Sequence, residues 1–371
     1  MFHFLPIILA STLLSSTPDP TKTDILFVLE HPGETKDLLP VTEELKKSGR
    51  HFSILTFGTA KTLVDPSIYK NEIILSDTAE VITGKISPKI LITGVATENQ
   101  KEFLQRFGNT ETITYAYWDN PEPNGSAPYF TQALKTEKVA KYVLLPSRYV
   151  ADSPEFANRL MSTKLVVGKP TLEEFQKIVE NIDQEEILGR LKSITKDSPI
   201  LVFSGTYGKE YEKAFALFIN CINKADWDAK KKQVIFQIHP SSDGKFEKEY
   251  CEKHLEANVD YTISTRDVSQ KLSIEEAMAI SDLFITYNSS SNFQAAISGK
   301  KIANVIPDGD PYTTSLLKLD IAMKISSPES LVDSIQTMRT FEVDSIYRYM
   351  GIPKNSVQLI IQAIDQGLKN N

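Results

Sequence analysis

Two short apolar runs in the second half of the chain stop abruptly at polar or small residues. The run at 233–238 ends at His239 and Pro240, and the run at 281–287 ends at Asn288 and three serines. Buried strands of a parallel sheet are continuous apolar runs, and their carboxyl ends carry loops to a ligand crevice. These two runs therefore predict an α/β fold and also the sheet edge at which a ligand binds.

The residues after the second run strengthen this prediction. The serines lead into a short helix-like segment, which is followed by Gly299 and by another apolar run at 302–306. Strand, polar loop, helix, glycine and strand in this order are typical of a nucleotide-binding α/β unit.

The first half of the chain begins with the same pattern. An apolar strand at 23–30 ends in a polar loop at 31–35, a helix pattern closes at Gly49, and a second strand is predicted at 51–57. The crossover connection of such a βαβ unit is expected to be right-handed, as it is in nearly all known cases. Further strands are predicted at 89–94, 112–117, 142–145 and 164–167.

The pattern starts again at 198–203, with a glycine-containing loop at 204–208 and a helix at 210–222. We therefore predict two Rossmann-like domains with a crevice between them, at 23–180 and 181–345. A terminal segment at 346–371 is predicted to form a helix that packs back on the first domain.

Length, net charge and cysteine content exclude some classes of function. With 371 residues the chain is long enough for two domains with separate cores, and its net charge of −7 argues against non-specific nucleic-acid binding. The two cysteines, Cys221 and Cys251, form no C-x-x-C pattern, so a cysteine zinc site is not expected.

The chain begins with an apolar segment within 1–22. Its apolar part, 2–14, is shorter than the roughly 20 residues that span a bilayer, and no lysine or arginine precedes it. It is interpreted as a signal or a membrane contact, with an extra segment packed on the fold as the alternative. If the protein is an enzyme with cytosolic substrates, this segment would place it at the cytoplasmic face of a membrane. If the segment is instead a cleaved signal, the protein would be exported.

Three polar loops of the second half are candidate ligand contacts. Gly205, Thr206 and Gly208 lie between a strand and a helix, where backbone N–H groups can meet a phosphate. His239 precedes Pro240 at a strand end, and its imidazole can contact phosphate or sugar oxygens. The alternatives are a tight turn for the glycines and a structural hydrogen bond for the histidine.

The serine run offers a third loop. Ser289 and Ser290 stand immediately before the short helix, where such residues either cap the helix or contact a diphosphate. In the first half, His31, Glu34 and Asp119 lie at predicted strand ends. Each of them is a candidate general base for an acceptor hydroxyl, with an ordinary surface charge as the alternative.

These residues together resemble the GT-B class of nucleotide-sugar glycosyltransferases and their relatives, the UDP-GlcNAc 2-epimerases. The opening unit from Ile25 to Gly49 is similar to the first βαβ unit of that class, and Ile200 to Gly208 is similar to the glycine loop of its second domain. The pairs His239-Pro240 and Ser289-Ser290 resemble the HP and serine motifs of bacterial sialyl- and polysialyltransferases. In those families the two motifs hold the nucleotide of a CMP-activated donor, and related glycerophosphotransferases carry a similar pair for CDP-glycerol.

One departure affects the donor. Many GT-B proteins place a glutamate, which holds the donor ribose, about where Gln294 stands. A glutamine still hydrogen-bonds a hydroxyl but lacks the charge that strengthens the bond. This departure puts the use of a UDP-sugar in question.

The resemblance implies a glycosyltransferase that moves a sugar or sugar-like group from a nucleotide-activated donor to an envelope or glycan acceptor, which can be lipid-linked. The second domain would bind the donor through the residues named above, and the first would bind the acceptor. No cofactor and no metal are expected, because helix N-termini and side chains would neutralise the leaving phosphate. The alternatives are a non-catalytic binding protein and a nucleotide-sugar 2-epimerase.

Overall fold

The computed structural model describes the chain in twelve stretches. The apolar segment 1–22 and Pro240 lie outside them. The described residues are 23–74, 77–121, 123, 128–157, 159–191, 193–206, 208–227, 231–239, 242–265, 272–310, 314–337 and 341–370.

The first half forms a parallel sheet of seven strands in the order β3-β2-β1-β4-β5-β6-β7. Chain order reverses between β1 and β4, so the loops after these two strands diverge and leave a crevice at the carboxyl edge. The strands are β1 (Ile25–Leu29), β2 (Phe52–Thr56), β3 (Ile73–Ile74), β4 (Ile90–Thr93), β5 (Ile113–Tyr117), β6 (Tyr142–Leu145) and β7 (Thr163–Val166).

The second half repeats the arrangement with six parallel strands in the order β10-β9-β8-β11-β12-β13. Its reversal lies between β8 and β11, which carry the two loops expected to bind a ligand. The strands are β8 (Ile200–Ser204), β9 (Lys232–Gln237), β10 (Val259–Ser264), β11 (Leu283–Thr286), β12 (Ile302–Val305) and β13 (Met323–Ile325).

Helices cover both faces of both sheets. In the first half they are α1 (Pro32–Lys47), α2 (Ala60–Leu63), α3 (Ala79–Lys85), α4 (Glu98–Gly108), α5 (Pro128–Glu137), α6 (Arg148–Ala151) and α7 (Pro154–Ala157). From there the chain continues through α8 (Pro170–Asn181), α9 (Gln184–Arg190), α10 (Lys209–Lys224), α11 (Lys245–His254), α12 (Ile274–Ile280), α13 (Ser291–Ile297), α14 (Ser315–Lys318), α15 (Pro328–Gln336), α16 (Val343–Met350) and α17 (Ser356–Lys369).

Strand β1 shows how the apolar runs build the core. All five of its side chains are buried, and they alternate between the two faces because successive strand residues point to opposite sides. Ile25, Phe27 and Leu29 pack with α1 and α17, whereas Leu26 and Val28 pack with α3 and α4. A continuous apolar strand is therefore what a sheet with both faces covered requires.

Two helices connect the halves. Leu172, Phe175 and Val179 of α8 lie in an apolar cluster with residues of the second sheet, and α8 also contacts α1. The terminal helix α17 returns to the first sheet, where Ile360 and Ile364 are buried in the cluster that contains β1. The limits of the two domains themselves stay a prediction.

The expected fold class is confirmed: the protein is α/β, with two Rossmann-like units that each contain a parallel sheet. Each predicted strand named above corresponds to a strand of the structure. Cys221 and Cys251 are both buried and free. Among the described residues no helix is long and apolar enough to cross a membrane.

Candidate functional site

Two glycines allow the side chains at the edge of the first sheet to approach one another. A Cβ atom on Gly33 would lie 1.6 Å from Oδ2 of Asp119, and one on Gly94 would lie 2.6 Å from Nε2 of Gln100 and 2.9 Å from Cδ of Glu34. Contacts below 3.0 Å require atoms to move, so neither position accommodates a larger residue in this arrangement. The loops after β1, β4 and β5 thus converge through small residues.

Glu34 lies in the first turn of α1 and is 2% exposed. Its Oε1 accepts hydrogen bonds from the backbone N–H groups of His31 (2.6 Å) and Glu30 (3.1 Å) and from Nε2 of Gln100 (2.7 Å). Burial, and secondly the charge of Asp119, raise the pKa of Glu34 to about 7. This carboxyl group therefore changes its protonation near neutral pH.

Asp37 is the second buried acid of α1. Its Oδ2 accepts from Nζ of Lys169, and its Oδ1 accepts from the backbone N–H (3.1 Å) and the hydroxyl of Thr171. Burial raises the pKa of Asp37 even with the Lys169 ammonium against it. Burial and the nearby acids raise the pKa of the Tyr117 phenol well above its ordinary value. The pair Asp37–Lys169 joins α1 to the start of α8.

Hydrogen bonds hold together the strand ends of the second sheet. The N–H of Gly205 donates to the carbonyl of Gln237 (2.9 Å), which ties the end of β8 to β9. The hydroxyl of Ser291 donates to that of Ser204 (3.3 Å) and lies 2.7 Å from that of Ser289. The three loops expected to bind the donor thus follow three neighbouring strands.

Asn292, directly after these serines, is fully buried. Neither atom of its carboxamide has a hydrogen-bond partner among the described residues. A buried polar group without a partner costs roughly 1–3 kcal/mol, so such groups usually contact a water molecule or a ligand.

A cavity of about 340 Å³, the cleft cavity, joins the two halves at these edges. The first half contributes the Gly33 turn and Asp119, α8 contributes its first turn, and the second half contributes Ser290 and Gln294. The lining residues are Gly33, Lys36, Asp119, Asn120, Pro121, Lys169, Thr171, Leu172, Ser290 and Gln294.

The predicted site residues take different positions relative to this cavity. Asp119, Ser290 and Gln294 line it, and Glu34 is buried directly after the Gly33 turn. His31 is exposed at the start of α1 and is not a lining residue. The other donor candidates follow β8, β9 and β11 and are not among the lining residues: Gly205, Thr206, Gly208, His239 and Ser289.

Sequence reasoning missed Lys36, Asp37, Lys169 and Thr171. A signal for Asp37 was present, because Glu34, Asp37, Val41 and Leu45 recur at helical spacing on the buried face of α1. A charged residue in an apolar stripe requires a partner. Lys169 had no such signal, since its role depends on the packing of α8 against α1.

The sequence contains two Asp-x-Asp pairs, which can hold a divalent cation in other proteins: Asp226/Asp228 and Asp308/Asp310. The second pair lies in the loop after β12. Oδ2 of Asp310 accepts from the phenol of Tyr287 (2.9 Å). Across the described stretches, no three His, Cys, Asp or Glu residues are grouped so that they could hold a metal ion.

Solved structures share this fold. The UDP-GlcNAc 2-epimerase of Neisseria meningitidis, solved with UDP-GlcNAc, is 12% identical, covers 93% of this chain and 100% of its own, and superposes with a TM-score of 0.61. A glycosyltransferase from Rickettsia africae is 13% identical over 94% of this chain and 100% of its own, with a TM-score of 0.63.

The wall teichoic acid polymerase TagF is 16% identical over 95% of this chain and 90% of its own, with a TM-score of 0.59. No protein-family model and no curated protein matches the chain. At these identities the comparisons show a common fold, which is the two-domain architecture of GT-B glycosyltransferases and the epimerases related to them.

Proposed function

We propose that the protein is a glycosyltransferase that binds a nucleotide-activated sugar in the cleft cavity and transfers the sugar to an acceptor hydroxyl. The observation that carries this proposal is the cavity itself, which brings Asp119 from one sheet edge to Ser290 and Gln294 from the other. Ligands of open α/β sheets bind where the strand order reverses, and here two such points face one cavity.

The second half would hold the donor. The loop after β8 and the serine loop after β11 flank its reversal point, and Gly208 is the N-cap of the sixteen-residue helix α10. Unpaired N–H groups at a helix start, together with serine hydroxyls, suit the oxygens of a phosphate. The unpaired buried carboxamide of Asn292 gives a further group that a ligand, or a water bound with it, can satisfy.

The first half would supply the base. Asp119 lines the cavity, so its carboxylate can take the proton of an acceptor hydroxyl while the new glycosidic bond forms and the bond to the nucleotide phosphate breaks. Lys36 lines the same cavity, and its ammonium favours the negative charge of the departing nucleotide, whereas the ammonium of Lys169 is paired with Asp37. We invoke no metal ion for this step.

Glu34 would act as a positioning residue rather than as the base. It is 2% exposed, and one of its oxygens already accepts three hydrogen bonds. Its pKa of about 7 means that the negative charge on Glu34, beside Asp119, depends on pH near neutrality.

The first experiment is a calorimetric titration of the full chain with UDP-GlcNAc, CMP-sialic acid and CDP-glycerol. The proposal expects one of these donors to bind, and a double variant His239→Ala/Ser289→Ala to lose that binding. Ser281→Ala is the matched control, because its hydroxyl lies at the opposite end of β11 and donates to the carbonyl of Met278. Unchanged binding in the double variant would contradict the assignment of the donor loops.

A 2-epimerase is the second candidate, favoured by the acids Glu34, Asp37 and Asp119 grouped at one sheet edge. Epimerisation removes and returns a proton on carbon, so the recovered nucleotide-sugar would contain deuterium after incubation in D₂O. Transfer instead releases free nucleotide only when an acceptor is present. Donor binding with neither outcome would favour a non-catalytic binding protein.

A further inference from the structure

A second cavity of about 600 Å³ opens beside the cleft cavity. Helices α1 and α8 and the beginning of α17 form its walls, and Glu275 of α12 and Gln294 of α13 also line it. We call it the hinge groove. It shares Lys36, Thr171 and Gln294 with the cleft cavity, so one ligand can occupy both.

Hydrogen bonds hold the walls of the hinge groove in place. Glu173 of α8 accepts hydrogen bonds from the backbone N–H groups of Asn355 (3.0 Å) and Ser356 (2.8 Å) at the start of α17. Asp37 ties α1 to α8 through Lys169 and Thr171. A groove whose three walls are joined in this way requires little ordering when a ligand binds.

The charges that line the groove differ from those of the cleft cavity. Four carboxylates face two lysines in the groove, whereas the cleft cavity has two lysines and one carboxylate. A nucleotide diphosphate would therefore be repelled from the groove. In the cleft the repulsion is weaker, because Lys36 balances Asp119 while Lys169 is paired with Asp37. The charged groups of the groove are Glu43, Glu173, Glu174, Glu275, Lys36 and Lys177.

The remaining lining suits sugar rings. Gln294, Asn355 and Gln358 present carboxamides, which both donate to and accept from hydroxyl groups. Pro40 and Ile178 give apolar surface beside them, and Ile178 is 42% exposed although it is a large aliphatic side chain. The C–H faces of a sugar ring can pack on such a surface while its hydroxyls reach the amides and carboxylates.

We propose that the hinge groove binds a neutral glycan acceptor, whose end reaches the cleft cavity past Lys36, Thr171 and Gln294. This inference rests on the proposed function, because only a sugar-transferring cleft requires an acceptor beside it. The excess of carboxylates excludes an anionic acceptor such as a polyphosphate chain, and the shared residues place the acceptor end next to Asp119.

The test is binding of the full chain to an array of neutral oligosaccharides of hexose and N-acetylhexosamine. We expect binding to at least one of them, and Ile178→Trp, which fills the groove, to weaken it at least about tenfold. Glu180→Trp is the matched control, because Glu180 is an exposed residue of the same helix outside the groove lining. Glu174→Gln is a milder second variant, expected to weaken binding without disturbing the fold.

Three outcomes would overturn the inference: no neutral glycan binds, the groove variants bind as the wild type does, or oligolysine displaces the glycan and binds more tightly. Titration of the same variants with the three nucleotide donors separates the two proposals. If a glycan binds and no nucleotide does, only the proposed function is contradicted. If a nucleotide binds both the wild type and Ile178→Trp and no glycan binds, only the assignment of the groove is contradicted.

Discussion

The two sheet edges that face the cleft cavity have the same topology and opposite chemistry. At the first edge, Glu34, Asp37 and Tyr117 are buried acidic groups with raised pKa values, and the ammonium of Lys169 pairs with Asp37. At the second edge, Ser204, Ser289, Ser291 and Asn292 present uncharged hydroxyls and an amide.

The two halves share one topology, so this difference in side chains indicates that they have different functions. Charges held in a low-dielectric interior respond strongly to pH and to the loss of a partner. Neutral hydroxyls bind phosphate oxygens without changing their own protonation. Large, pH-dependent effects are therefore expected from changes at the first edge, and small, pH-independent ones from changes at the second.

The largest effect is expected for Lys169→Met, which leaves the Asp37 carboxylate buried without its cation. Removing one partner of a buried ion pair typically costs about 3–5 kcal/mol, because an uncompensated charge stays behind. Urea denaturation should show this loss. The double variant Asp37→Leu/Lys169→Met should recover most of the stability, and a double variant as unstable as the single one would contradict the paired arrangement.

The next effect concerns Glu34 and pH. Its pKa is raised from 4.5 to about 7 in the folded protein, so the folded state binds this proton more tightly than the unfolded state does. The stabilisation is fully present below pH 4.5 and is lost as pH rises through about 7, and it amounts to about 3 kcal/mol.

Glu34→Gln should remove this part of the pH dependence. We expect the free energy of unfolding of the wild type to fall relative to that of the variant as pH rises from 5 to 8, measured by urea titrations at several pH values. Parallel curves for the two proteins would show that Glu34 titrates at its ordinary pKa. Asp119→Asn should give an intermediate curve, because the charge of Asp119 is the second cause of the raised pKa.

A smaller effect is expected for Gly94→Ala. The added Cβ would meet Gln100 at 2.6 Å and Glu34 at 2.9 Å, and overpacking of this kind costs about 1–3 kcal/mol. Gly84→Ala is the control, because nothing lies within 4 Å of its added Cβ and it is in helix α3. Thermal denaturation should show a loss for the first variant and none for the second; equal melting temperatures would argue against close packing at the first edge.

The smallest effect is expected for Ser291→Ala at the second edge. It removes the hydroxyl that contacts Ser204 and Ser289, and a typical hydrogen bond of this kind contributes about 1 kcal/mol. The loss should be the same at pH 5 and pH 8, because no group in the contact titrates there. A loss that changed with pH would contradict the contrast between the two edges.

Much of the fold was predictable because its strands are buried on both faces. Continuous apolar runs such as Ile25–Leu29 and Ile200–Ser204 are required wherever helices cover a parallel sheet from both sides. The candidate site was predictable in part: Asp119 and Ser290 were named from their places after strands, Gln294 was named from the resemblance to GT-B proteins, and all three line one cavity. Their roles stay a prediction.

The sequence by itself determined the two α/β halves and the polar loops at their strand ends. The spacing of apolar residues and the polar residues that end a strand can both be read from neighbouring positions in the chain. Only the tertiary structure decided that Lys169 neutralises Asp37, that Asp119 lies against Gly33, and that a groove joins the cleft. These contacts link residues up to 183 positions apart, as between Glu173 and Ser356 in the groove wall. Which distant side chains meet depends on how helices pack across the two sheets, a property that no local pattern contains.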